Sequence, residues 1–117
     1  MKIPGPDHPI TVTPSTDRVV VRVGDRVIAD TSKSLVLQES TYPAVRYIPL
    51  DDVDRTQLRR TETSTHCPYK GDAAYYTITG EPELTDSVWV YEQPYEAVRA
   101  IAGHVAFYPD RVSIAVD

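Results

Sequence analysis

The sequence predicts an all-β fold with one short helix, built as two packed or strongly bent antiparallel sheets. About nine short runs rich in Val, Ile, Thr and Tyr recur along the chain, separated by turn residues at close spacing. Strand and helix patterns do not alternate, which argues against a parallel α/β sheet. Only one segment, 94–102, carries a full set of helix signals. The 117 residues suit one domain spanning 1–117.

Residues 1–9 are rich in Pro and Gly and read as an irregular lead-in. Ile10-Thr11-Val12 is a short strand. The β-branched run 18–23 and its continuation 26–30 are split by Gly24-Asp25. A Gly-first two-residue break between such runs is a hairpin with a type II′ turn. Strands follow at 35–39 and 45–48, the second closed by Pro49. Asp51 and Asp52 open a helical turn or two, with an Asp N-cap and helical spacing of Val53 and Leu58. The polar stretch 59–66 reads as a loop. Strands return at 73–79 and 87–92. Pro94 suits the first turn of the helix and Gly103 the left-handed residue after its end. Val98, Ile101 and Ala102 line its buried stripe. Strands 104–108 and 111–116 close the chain around Pro109-Asp110.

Composition narrows the function classes. A net charge of −5 opposes non-specific binding to nucleic acid or anionic membrane. The single cysteine excludes an intramolecular disulfide framework and any four-cysteine zinc site. A free thiol, no signal-peptide core and no membrane-length apolar stretch predict a cytoplasmic protein. His8, His66 and His104 lack ligand spacing, so no metal and no cofactor is expected.

The chemistry concentrates in three places. His66-Cys67-Pro68-Tyr69-Lys70-Gly71 joins the only thiol to a lysine in a loop shaped by proline and glycine. Cys67 is either a nucleophile favoured by nearby cations or a buried, inert sulfur. Lys70 is either a pocket cation or a stem packed over Tyr69 or Tyr75 with its charge in water. Glu39 shares a strand face with Leu35 and Leu37. A carboxylate ending an apolar stripe needs a cationic partner or carries a raised pKa, and Arg46 and Lys70 are the partners in view. Eight tyrosines against one phenylalanine suit a pocket wall or an interface. Trp89 and Tyr91 lie on one face of their strand, opposite Val88 and Val90.

The ordered set Tyr42-Pro43-Ala44-Val45-Arg46-Tyr47-Ile48-Pro49, Cys67-Pro68-Tyr69-Lys70-Gly71, Trp89-Val90-Tyr91 and Val105-Ala106-Phe107-Tyr108 carries a resemblance. With His8-Pro9-Ile10, Val27-Ile28-Ala29-Asp30, Leu35-Val36-Leu37-Gln38-Glu39, Asp51-Asp52-Val53, Tyr76 and Pro94 it covers nearly the whole chain. The sequence resembles the small, mainly bacterial domain of unknown function family 427, sometimes labelled nucleotidyltransferase-like. That resemblance implies a bent two-sheet, β-tent-like fold, the group that includes methionine sulfoxide reductase B and the ligand-binding domain of cereblon. Many of those hold zinc with two Cys-x-x-Cys knuckles. This chain has neither knuckle, nor a phosphate loop, so neither zinc nor nucleotidyl transfer is carried over.

The leading functional expectation is a small-molecule pocket between the sheets. Tyr42, Arg46, Tyr47, Trp89 and Tyr91 are its ligand-binding residues, and Glu39, Cys67 and Lys70 its candidates for chemistry. An enzyme using Cys67 as nucleophile, assisted by Lys70 or Glu39, is the second expectation. A homodimerising interaction module with a tyrosine-rich surface is the third.

Overall fold

The computed structural model describes residues 1–117. Its ten strands are β1 (Ile10–Pro14), β2 (Val19–Val23), β3 (Arg26–Thr31), β4 (Leu35–Glu39), β5 (Val45–Pro49), β6 (Leu58–Cys67), β7 (Gly71–Ile78), β8 (Leu84–Val90), β9 (His104–Phe107) and β10 (Ser113–Val116). They form a seven-stranded sheet, β1-β4-β5-β9-β8-β7-β6, and a three-stranded sheet, β10-β2-β3. Every pairing is antiparallel. No helix is long and apolar enough to cross a membrane.

The β2–β3 hairpin forms as the sequence predicts. Val23 pairs with Arg26, and Gly24 alone takes a positive φ, 58°, which is what a type II′ turn requires. Gly103 likewise turns left-handed, with φ 72°. The last two strand runs both form but do not pair with each other. β9 joins the large sheet and β10 crosses to pair with β2.

Three local expectations are corrected. The segment read as a polar loop is the ten-residue edge strand β6, paired with β7 from Leu58↔Ile78 to Cys67↔Gly71, with a bulge between Arg60 and Ser64. Most of its side chains stay exposed, so the period-two signal of a buried face is missing. Charges and threonines are the usual protection of a sheet edge. The helix expected at 94–102 is a 3₁₀ helix, Glu96–Ile101, kinked at Val98. It still buries Val98 and Ile101, but Ala102 is exposed. Six residues are too few for an α-helix to persist on propensity alone, and packing of those two side chains decides the conformation. The turns after Pro49 are two 3₁₀ helices, Leu50–Asp52 and Arg55–Gln57. The capping aspartate is Asp54, which accepts from the Thr56 amide, while Val53 bridges to Ala29 instead of continuing a helix.

The large sheet is apolar on both faces. Val88 and Val90 of β8, with Ile48, Ile78, Val105 and Phe107, pack against Val19, Val21, Ile28 and Ala29 of the small sheet. The alternate positions carry a second core: Leu37, Tyr47, Ala73, Tyr75, Tyr91 and Ala106, closed by Val98 and Ile101. This second face takes Tyr47, Tyr75 and Tyr91, three of the eight tyrosines.

The sheet bends at β5. Leu35, Val36 and Leu37 pair with Tyr47, Arg46 and Val45, whereas β9 meets β5 only at Ile48↔Val105 and Pro49↔His104. Ahead of Ile48, β5 has lost β9, and Ala106 and Phe107 pair with β8 alone. The wing β1-β4-β5 therefore splays from the wing β9-β8-β7-β6.

Gly80 has φ 108°, and a Cβ there would lie 2.5 Å from the Arg26 guanidinium. That guanidinium is not free to move, because Nη1 donates to the Thr79 carbonyl at 2.8 Å and to Gln57 at 3.2 Å. Gly80→Ala is expected to cost about 1–3 kcal/mol, while Gly5→Ala, in open space, stays within about 0.5 kcal/mol. Urea-unfolding midpoints check the pair.

Candidate functional site

The splay leaves a cavity of about 370 Å³ between the two wings. Leu37, Glu39, Tyr42, Pro43, Val45 and Tyr47 line it from one wing, and Tyr75, Trp89, Tyr91 and Tyr108 from the other. Lys70 closes one end. The cavity lies within the bend of the seven-stranded sheet, on the face opposite the small sheet. This corrects the expected cleft between two separate sheets. Six of its residues belong to the second core or pack against it by strand alternation alone: Leu37, Val45, Tyr47, Tyr75, Trp89 and Tyr91.

Each polar residue is delivered by identifiable local structure. Glu39 ends β4 on the face of Leu37. Ser40 then takes φ 49°, and the Tyr42 amide donates back to the Glu39 carbonyl at 3.0 Å. This turn carries Tyr42 and Pro43 over the cavity mouth. Lys70 sits in the turn between β6 and β7, just before Gly71 at φ 110°. The turn is held from both sides. Lys2 N donates to the Pro68 carbonyl at 2.7 Å, and Tyr95 N donates to the Lys70 carbonyl at 2.9 Å.

The polar end is a three-residue array. Lys70 Nζ donates to Glu39 Oε1, and His8 Nε2 donates to Glu39 Oε2 at 2.7 Å. Lys70 is only 8% exposed. Burial pushes the Glu39 carboxyl up, but the hydrogen bonds and charges of Lys70 and His8 outweigh it and leave the group below its ordinary value. His8 is stacked on Tyr69, ring centroids 4.1 Å apart, and Tyr42 meets it edge-on at 6.1 Å. Lys2, not Lys70, lies over the Tyr69 ring, 5.8 Å from its centroid.

The aromatic walls are linked across the bend. Trp89 Nε1 donates to Tyr47 Oη at 3.1 Å, with the rings perpendicular. Tyr108 packs on Trp89 at 4.6 Å. Burial pushes the Tyr47 hydroxyl up to about 12, against the pull of the Trp89 hydrogen bond. Burial also pushes Tyr91 up, and it raises Tyr108 to about 12 together with the neighbouring Tyr75 hydroxyl. All three are therefore neutral phenols at physiological pH.

Two sequence-selected residues lie elsewhere. Arg46 alternates to the opposite face of β5 from Val45 and Tyr47. There it donates to Ser34 Oγ at 3.1 Å and Ser15 Oγ at 3.2 Å, so it is not the partner of Glu39. Cys67 ends β6, half-buried against the second core, and is absent from the cavity lining. Its neighbour His66 pairs with Asp72 at 2.7 Å. Asp51 and Asp52 serve local structure: Asp52 accepts from the Thr31 hydroxyl and Asp51 pairs with Arg55. No group of three or more His, Cys, Asp or Glu side chains converges as metal ligands.

The lining also holds residues not selected from sequence. Tyr75 and Tyr108 were accessible to alternation, since they share faces with Ala73 and Ala106. His8, outside the lining, was one of the residues that carried the family resemblance, but its contact with Glu39 across 31 residues of chain had no local signal.

A family model described as a domain of unknown function (DUF427) matches residues 11–117. Every cavity residue falls inside that match, whereas His8 precedes it. A search of curated proteins finds no match.

Removing one member of the Lys70–Glu39 pair strands its partner. Lys70→Met is expected to destabilise the fold by about 3–5 kcal/mol. Glu39 has a folded pKa below its unfolded one, so its stabilisation is present above the unfolded value of about 4.3 and is lost as pH falls through the folded value. Urea midpoints measured from neutral pH downwards should drop more steeply in the parent protein than in Glu39→Gln. Equal slopes would contradict this account.

Proposed function

The chain belongs to the family of domain of unknown function 427, and we propose that it binds a small molecule in the cavity between the two wings of its bent sheet. One observation carries this reading: a charged pair, buried Lys70 and half-buried Glu39, lines an aromatic-walled cavity. A buried ion pair is poor evidence of stability, since apolar residues of the same volume often serve a fold equally well. Its place beside a cavity supports a ligand-facing role. The volume of about 370 Å³ lies in the range of small-molecule sites, and apolar walls with a few convergent polar groups are their usual composition. Tyrosine and tryptophan faces add stacking surface for a flat ligand.

The cysteine-nucleophile alternative has less behind it. Cys67 contributes no surface to the cavity, and His66 is engaged with Asp72 rather than with the thiol.

Trp89 is the only tryptophan and lines this cavity as well as a neighbouring one of about 320 Å³ beside Arg46 and Phe107, so its emission reports on both, and loss of the response in Tyr91→Phe assigns it to this one. In a thermal-shift screen of metabolites, a ligand at a hundredfold excess over Kd adds about 2.7 kcal/mol, a rise in Tm on the order of 10 °C. The compounds that stabilise the protein are expected to change Trp89 emission as well. Stabilisers that leave the emission untouched would place binding elsewhere, and a broad panel without a stabiliser would remove the proposal.

A further inference from the structure

The hydrogen-bonding groups that line the cavity are unevenly used. Tyr47 is 1% exposed and Tyr91 6% exposed, so both are among the most buried groups of the site. The Tyr47 oxygen accepts from Trp89 Nε1, which leaves its own O–H as a donor with no protein acceptor. Tyr91 lines the cavity, and its hydroxyl makes no hydrogen bond to the protein. The only inaccessible polar side-chain atom without a partner is Arg26 Nη2, so the Tyr91 hydroxyl must open onto the cavity. Lys70 has three N–H donors and uses one, on Glu39.

Acceptors are scarce by comparison. Glu39 is the one carboxylate of the lining, and each of its oxygens is already engaged, one by Lys70 and the other by His8. The Tyr75 hydroxyl is paired with Thr65 at 2.9 Å. The buried end of the cavity thus offers the donor-only ammonium of Lys70 and the Tyr47 and Tyr91 hydroxyls, which can donate or accept, beside a single carboxylate already engaged by two protein donors.

This inference rests on the binding reading above and names its ligand class. We infer that the cavity takes a flat ligand whose head presents a hydrogen-bond-accepting oxygen, a carboxylate or a ketone-type carbonyl, to Tyr47, Tyr91 and Lys70. An amine or other cationic head would have to compete with Lys70 and His8 for Glu39, the one carboxylate of the lining. Its charge would also face Lys70. The aromatic walls of Trp89, Tyr75 and Tyr108 would cover the body of the ligand.

Three compounds on one phenylethyl body test this: 3-phenylpropanoate, 4-phenyl-2-butanone and 3-phenylpropylamine, titrated against Trp89 emission. The carboxylate or the ketone is expected to bind at least about tenfold more tightly than the amine, as the difference of one or more hydrogen bonds predicts. Which of the two is tighter distinguishes a charged from a neutral head. Tyr91→Phe is the cleaner variant, because that hydroxyl has no protein partner to lose, and Tyr47→Phe is the second. Tyr91→Phe should weaken the acceptor compound by about three- to tenfold, and Tyr47→Phe, which also removes the acceptor of the Trp89 bond, by at least as much.

An amine that binds as tightly as the acceptor compounds would overturn the assignment. So would Phe variants that both keep wild-type affinity. If none of the three binds while the wider screen yields a stabiliser that alters Trp89 emission, the acceptor assignment fails and the binding reading stands. If that screen yields nothing, both fall.

Discussion

Strand β5 pairs with β4 over Val45, Arg46 and Tyr47 and with β9 over Ile48 and Pro49, and this change of partner governs the rest of the molecule. A strand flanked on both sides throughout would close the sheet flat and leave no space between Tyr47 and Trp89. Here the two wings part ahead of Ile48. The small sheet covers one face and buries Val88, Val90 and Val105. The other face is left with aromatic side chains that meet across an opening rather than in a continuous core. The Tyr47–Trp89 hydrogen bond spans that opening at 3.1 Å and sets the separation of its walls.

Polarity within this opening is concentrated at one end. Lys70 and Glu39 are carried there by a turn and a strand terminus, and His8 reaches the same carboxylate from the lead-in. Taking both charges out of water costs several kcal/mol per ion, and their attraction and hydrogen bonds offset this only when geometry is good. The same array leaves phenolic and ammonium donors turned toward the cavity. We propose that this arrangement serves a bound molecule, since apolar residues of similar volume could replace the pair in the fold.

Much of this was legible in the sequence because it follows from two-residue periodicity. Leu35, Leu37 and Glu39 share a face, as do Trp89 and Tyr91, and the tyrosine count announced a second aromatic surface. Gly24 and Gly103 marked left-handed positions correctly. The failures have physical causes. β6 is an edge strand with neither face buried, so its threonines and charges read as a loop. The segment ending at Ile101 is fixed by the packing of two side chains, not by helix propensity. Arg46 looked like a partner for Glu39, but it alternates to the other face of β5. Cys67 drew attention as the only thiol, yet the hairpin turns Lys70, not Cys67, into the cavity. The contact of His8 with Glu39 is a tertiary fact that no local pattern encodes.

The central claim is that the buried pair belongs to the chemistry of the cavity more than to the stability of the fold. The most direct test is the double variant Glu39→Leu with Lys70→Met, compared with the parent protein for both unfolding midpoint and affinity for the best stabilising compound. The account predicts a midpoint unchanged or raised, because apolar residues replace the pair without stranding a charge, together with at least about tenfold weaker binding. A lowered midpoint with binding unchanged would contradict it.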